Sequence, residues 1–328
     1  MTASAPSAAL DLLVVGDVNP DVIVSGLTAA PRFDQVEQLV KTTDLVVGGS
    51  AGITAVGAAR LGLRVGLCGV VGDDRFGEFM VSELGAARLD LERVNVVGKH
   101  ATGVSVVLLH EEKRAILTAA GCMDQLSAAD LAALPDRVAR HIHVASYYLM
   151  SADFQQALPA ALRRFRSVGT TVSVDTNWDP RELWQLDAVL GQTDIFLPNQ
   201  AELLAISREA KVSDALLSLV PASMSVVAKL GEWGAVSRAP ERAPELCSVR
   251  AAGDVGFVDS VGAGDSFNAA YLAGFLEGRE SDECLKLAVA AGTLSTRGRG
   301  GTATQPAPAE LEERASGLVA IDGFEETA

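Results

Sequence analysis

Residues 262–265, Gly-Ala-Gly-Asp, place a carboxylate directly behind a glycine turn and in front of a helical pattern. Phe267, Ala270, Tyr271, Gly274 and Phe275 fall at i, i+3, i+4, i+7 and i+8, which predicts a helix with one buried face. "GFVDS", residues 256–260, reads as the end of the strand that feeds it. A helix start leaves N–H groups unpaired and carries a partial positive charge, so it suits an anion. Gly262 and Gly264 would let a phosphate come close to those donors. Two readings of Asp265 stand side by side. It is either an N-cap, a task Asp performs well, or a base that takes a proton from whatever attacks the phosphate.

Other residues extend this chemistry. "VGGSAG" at 47–52 sets Gly48, Gly49 and Ser50 at a second helix start, again a site for an anion or a hydroxyl. "DVNPD" at 17–21 spaces Asp17, Asn19 and Asp21 two apart, on one face if extended. Carboxylates and an amide presented together suit the hydroxyls of a sugar, although an Asx-turn with a proline would use the same residues. "PNQAE" starts a helix with Asn199 and Glu202, which simple capping would also explain. Several motifs fail on inspection. There is no G-x-x-x-x-G-K-[ST] loop, and "GRGGTA" from Gly298 follows a helix pattern instead of a strand. "RGRGG" is a single short tract in an acidic chain and reads as a turn. "DTNWDP" at 175–180 imitates a calcium loop but has Pro180 where glycine is needed and Leu186 where glutamate is needed. His141 and His143 share a strand face without a third ligand nearby, so they read as structural.

The elements that must position these residues follow from the rest of the chain. With 328 residues, 48% hydrophobic and 21% charged, it can hold a substantial core. A net charge of -15 repels nucleic acid and anionic membrane, so neither is an expected partner. Cys68, Cys122, Cys247 and Cys284 are scattered without a CxxC pair, which suits reduced thiols and a cytoplasmic protein. The N-terminus lacks a basic region before its apolar run and reads as a short tail entering a strand. "LDLLVVGD", "RVGLCGVVG", "HIHVAS", "TVSVDTN", "DIFLPN" and "SVVAKLG" are buried strands alternating with helical runs such as "GITAVGAARLG" and "DRFGEFMVSELGAA". That alternation predicts a parallel sheet covered by helices, with ligands at the carboxyl ends of its strands. Two segments, about 18–47 and about 97–119, lack a helix and read as a small inserted sheet able to act as a lid, the second with a hairpin turn at "EEKR". "ELEERASGLVA" reads as a last helix.

"DSVGAGDSF" at 259–267 resembles the signature of the ribokinase-like (PfkB) family of sugar and nucleoside kinases. "VGGSAG", "GVVGDDRFG", "LPNQAE", "VVAKLGEWGA" and the final small-residue helix extend the resemblance to nearly the whole chain. The resemblance implies one domain over 1–328, a three-layer α/β/α sandwich with a mostly parallel central sheet and a small β-sheet lid. It implies transfer of the ATP γ-phosphate to a hydroxyl of a small sugar. Gly262, Ala263 and Gly264 would form the anion hole and Asp265 would be the base; Asn19, Asp21, Gly48, Gly49 and Ser50 would hold the sugar. Asn199 and Glu202 match the family's N-x-x-E element, which organises Mg2+ through water. Lys229 and Gly231 follow the strand that contacts the nucleotide, and Ala288, Ala291, Gly292 and Ser295 would form a flat helix face for adenine. Asp259 and Val261 match a loop where many members hold a monovalent cation such as K+. Separately, the unpaired strand edges of the two helix-free segments predict that the lid carries a homodimer contact. Two departures stand out. Ile53 replaces an asparagine usual in the first signature, and Asp179 stands where keto-sugar-acid kinases have arginine, which favours a neutral polyol. Two alternatives are a nucleoside kinase, disfavoured by an aromatic content of 5%, and a non-catalytic sugar sensor on the same scaffold, disfavoured by the intact 262–265 element.

Overall fold

The computed structural model describes residues 10–110, 113–251, 253 and 256–324, so the N-terminal tail and the tip of the "EEKR" turn lie outside the described residues. The chain opens with β1 (Leu10–Val15), then leaves for β2 (Pro20–Ser25) and β3 (Thr42–Val47). It returns through α1 (Ser50–Arg60), β4 (Val65–Gly72), α2 (Arg75–Ala86) and β5 (Asp90–Val97), and leaves again for β6 (Val104–His110) and β7 (Lys113–Ala119). Alternation follows in α3 (Ala128–Ala133), β8 (Ala139–Ala145), α4 (Ala152–Arg166), β9 (Thr171–Asp175), α5 (Asp187–Leu190) and β10 (Ile195–Phe196). Next come α6 (Gln200–Ser207), α7 (Val212–Ser218), β11 (Ser225–Lys229), β12 (Ala235–Arg238) and β13 (Cys247–Val249). The chain closes with α8 (Ala263–Glu277), α9 (Ser281–Ser295), α10 (Pro308–Ser316) and β14 (Ala320–Asp322).

Among the described residues, ten strands form the main sheet in the order β14-β13-β12-β11-β10-β9-β8-β1-β4-β5. The run from β11 to β5 is parallel, and β12, β13 and β14 are antiparallel. This is the expected mostly parallel sheet between helix layers. Period-two alternation divides the cores: Leu13 and Val15 of β1 pack on the side of α4, while Leu12 and Val14 pack on the side of α1 and α8. All eight residues of β4 are buried, as a central parallel strand requires. Helices approach closely through small residues. A Cβ at Gly57 of α1 would lie 2.9 Å from Ala269 Cβ, and one at Gly274 of α8 would lie 3.1 Å from Cys284 Sγ of α9.

The separate small sheet has the order β3-β2-β6-β7. Its Ile23 and Val107 pack on Val261 beside the start of α8. Three expectations change. α8 is buried on nearly all sides from Ser266 to Gly274, because α1 and α9 flank it, so it has no single buried face. "GFVDS" is not a strand: the Val258 and Asp259 amides both donate to Thr296 O at the end of α9, at 2.8 and 3.1 Å. The "ELEERASGLVA" helix ends at Ser316, and the chain then adds β14 to the edge of β13.

Candidate active site

Gly262 opens α8 at φ 71°, a left-handed conformation that favours glycine. A Cβ there would also lie 2.3 Å from Gly301 Cα, so glycine is required on two grounds. Gly301 belongs to the "RGRGG" turn, which backs the 262–264 turn. The buried Asp259 carboxylate pins the two together, accepting from Val261 N (2.9 Å) and Gly300 N (3.1 Å). The Ala263 amide donates to Ser260 O at 3.3 Å, while the Gly264 and Asp265 amides have no acceptor among the described residues. Two donors at the positive end of a helix are therefore open to an anion.

Asp265 does not cap α8, since Gly262 occupies that place and no side chain bonds there. Its carboxylate instead accepts from the Ser50 hydroxyl, across from the first turn of α1. Burial pushes it up to about 7 against the pull of that bond, with Asp175 and Asp17 adding to the rise and Lys229 opposing it.

α1 has an acid cap of its own. Asp17, just past β1, accepts from Ser50 N (3.1 Å) and Ala51 N (3.0 Å). Glycines let the 17–21 loop crowd against this helix end. A Cβ at Gly48 would lie 2.2 Å from Asp21 Oδ1, and one at Gly49, where φ is 70°, would lie 2.9 Å from Asn19 Oδ1. Asn19 donates to Ser105 Oγ of the small sheet at 3.3 Å, leaving its Oδ1 buried and without a partner among the described residues. Asp21 is pushed up to about 7, first by burial and then by Asp17 and Asp265, against the Ser105 bond. The fold thus gathers Asn19, Asp21, Gly48, Gly49, Ser50 and Asp265 around one point.

The other flank holds a network that motif reading missed. Lys229 Nζ donates to Asp175 Oδ2 (2.5 Å) and Asn268 Oδ1 (3.3 Å), and Asn268 Nδ2 donates to the same Asp175 oxygen (2.6 Å). Burial works against the Lys229 charge, but Asp175 and Glu202 outweigh it and raise its pKa. The available signal was Asn268, three residues after Asp265 and so on the same side of α8. Asn199 and Glu202 form a reciprocal cap on α6, with Asn199 N to Glu202 Oε2 and Glu202 N to Asn199 Oδ1 both 2.9 Å. Burial, then Asp175, pushes Glu202 up to about 7, while Lys229 opposes.

Beside Lys229 lies a cavity of about 360 Å3, lined by Gly231, Gly264, Phe257, Val289, Gly292 and Thr293 among others. Gly231 and Gly292 sit where the resemblance implied, but Ala291 and Ser295 do not line the cavity. Both are buried, as is Ala288. The small-residue face of α9 is turned into the helix layer, and the neighbouring face through Val289, Gly292, Thr293 and Thr296 meets the cavity. Ile53 packs against Gly262 and Gly301, filling the back of the turn. Asp179 accepts from the Arg181, Leu183 and Trp184 amides, each at 2.9 Å, and so organises its own loop. His141 bonds Thr171 Oγ1 and Ser173 Oγ, both at 2.7 Å, and His143 bonds Ser173 Oγ at 2.8 Å, inside the sheet.

Residues 9–308 match the model of the pfkB family of carbohydrate kinases. The chain belongs to that family. It is an ATP-dependent phosphotransferase with the ribokinase-like fold. Among its relatives are an ATP-dependent ribose-1-phosphate kinase of Halopiger xanaduensis, 29% identical over 90% of this chain and 94% of that one, and a fructokinase of Klebsiella pneumoniae, 30% identical over 81% and 90%. A candidate ribokinase II from E. coli, solved with ATP and Mg2+, superposes with a TM-score of 0.79 at 25% identity, covering 94% of this chain and 99% of that one. No helix among the described residues is long and apolar enough to cross a membrane.

Proposed function

We propose that this kinase phosphorylates a hydroxyl of a small, neutral sugar or sugar derivative, with Asp265 as general base. The observation that carries the reading is the position of Asp265. Its carboxylate lies between the open amides at the start of α8 and the Asn19–Asp21 cluster, and it is pushed up to about 7. A base with a pKa near neutrality takes a proton well at physiological pH. The buried, unpartnered Asn19 Oδ1 and the Asp21 carboxyl suit sugar hydroxyls. Asp179 cannot hold a substrate carboxylate as an arginine would, which supports the neutral acceptor.

Mg·ATP, when bound, supplies the phosphoryl group. The 360 Å3 cavity is the proposed nucleotide seat, with Gly292 and Gly231 in its lining and Lys229 at the end beside Gly264. The Gly264 and Asp265 amides and the Lys229 ammonium meet negative charge at that end. Glu202, with both oxygens already held by Asn199, would act on Mg2+ through water. The Asp259–Val261 turn is the proposed seat of K+, supported by a buried carboxylate that makes no ion pair among the described residues. The small sheet is the proposed lid, since it brings Asn19's partner Ser105 and the Asp21 carboxyl to the site.

A nucleoside acceptor is the second reading. It is favoured by the edge-to-face run Tyr147–Tyr148–Trp184–Trp178 beyond β8 and β9, at the same end of the sheet. ATP turnover over a panel of sugars and nucleosides, in K+ and in Na+, tests both. Turnover confined to sugars and faster in K+ is expected. Turnover confined to nucleosides, or none on any member, would overturn the first reading.

A further inference from the structure

A second cavity, about 250 Å3, lies on the seam between the small sheet and the body. Three cations from three segments line it: Lys41 before β3, Arg114 on β7, and Arg299 in the turn after α9. Lys41 and Arg114 are exposed, and neither has an acidic partner among the described residues. Arg114 donates to Ser260 Oγ at 3.1 Å, and Arg299 donates to Thr42 Oγ1 at 3.0 Å and pairs with Asp44 at 3.7 Å. The one carboxylate in the lining among the described residues, Asp259, already accepts from two backbone amides. Positive charge therefore converges at this seam in a chain whose net charge is -15.

The cavity is distinct from the sugar cluster. Ser25 lines it and Asp21 lines the other, four residues apart on β2, or about 13 Å along an extended strand. Ile23, packed on Val261, stands between them. Two guanidinium forks and an ammonium, coming from three segments, present more N–H donors than the two oxygens of a carboxylate accept, and they match the oxygens of a phosphate. We propose that Lys41, Arg114 and Arg299 bind a phosphate dianion, free or carried by a small ester. Bound there, it ties two cations of the small sheet to one of the body.

Calorimetric titration tests this with inorganic phosphate in one arm and glycerol 3-phosphate in the other, at constant ionic strength. Wild type and the double variant Lys41→Gln/Arg114→Gln are compared, each saturated with a non-hydrolysable ATP analogue and Mg2+ so that the anion hole at α8 is filled. Analogue affinity is measured first, which separates failure of the nucleotide reading from failure of this one. One phosphate group per chain is expected, bound at least about tenfold more weakly by the variant, as for loss of charge-assisted bonds. The arm that binds more tightly identifies the source. Absence of binding in both arms, or equal binding by a variant with wild-type melting, would overturn the proposal.

Discussion

Asp265 and Asp21 are both pushed up to about 7, so the site changes its proton count within the physiological range. For Asp265 the sign is direct, because in its proposed role as base it works only when ionised. With the sugar below saturation, kcat/KM is expected to rise about tenfold per pH unit to a midpoint near 7 and then level off. A profile flat from about pH 6 to about pH 8 would contradict the assignment. Asp21 makes a different prediction because its proposed role is to hold the sugar and not the nucleotide. Asp21→Ala is expected to raise the sugar KM by the equivalent of roughly 1 to 3 kcal/mol and to leave the ATP KM nearly unchanged. Initial-rate kinetics in both substrates decides it, and a loss of ATP affinity would reduce Asp21 to a turn former.

The small sheet has two faces with different chemistry. Asp21, Ile23 and Ser25 of β2 point inward to the site, to Val261 and to the basic seam. On the outer face Leu45, Val22, Val106 and Leu117 fall in cross-strand register over all four strands. Leu45 is 43% exposed and Leu117 61% exposed, so this is an apolar stripe in water. We propose that a second copy of the chain covers it. Light scattering is expected to show a dimer for wild type and a monomer for Leu45→Glu/Leu117→Glu at the same concentration. A wild type that stays monomeric at every concentration would contradict the contact and leave the small sheet with its proposed lid role only.

Across the whole molecule, what could be read in advance was what local pattern encodes. The Gly262–Asp265 turn, the glycines at 48 and 49, the β–α alternation and the two helix-free insertions all lie within short stretches of chain. What could not be read depends on contacts between distant segments. Asp175, Lys229 and Asn268 meet from β9, β11 and α8, and "RGRGG" matters only because Gly301 lies against Gly262. On α9 the cavity is lined by Val289, Gly292, Thr293 and Thr296, one residue on from the small-residue stripe, because such a stripe serves helix packing as well as a flat ligand. The same convergence makes Asp265 costly to the fold. Its folded pKa is raised above the unfolded value, so its contribution to stability is present at low pH and is lost as pH rises through about 7. Asp265→Asn, a neutral replacement, is therefore expected to gain more in Tm relative to wild type at pH 8 than at pH 5. That variant also gives the most direct measurement of the central claim, turnover at pH 8 with ATP binding followed in parallel. The account predicts a fall in kcat of about a hundredfold or more, with ATP still bound and the fold intact. Near-wild-type turnover in the folded variant would contradict it.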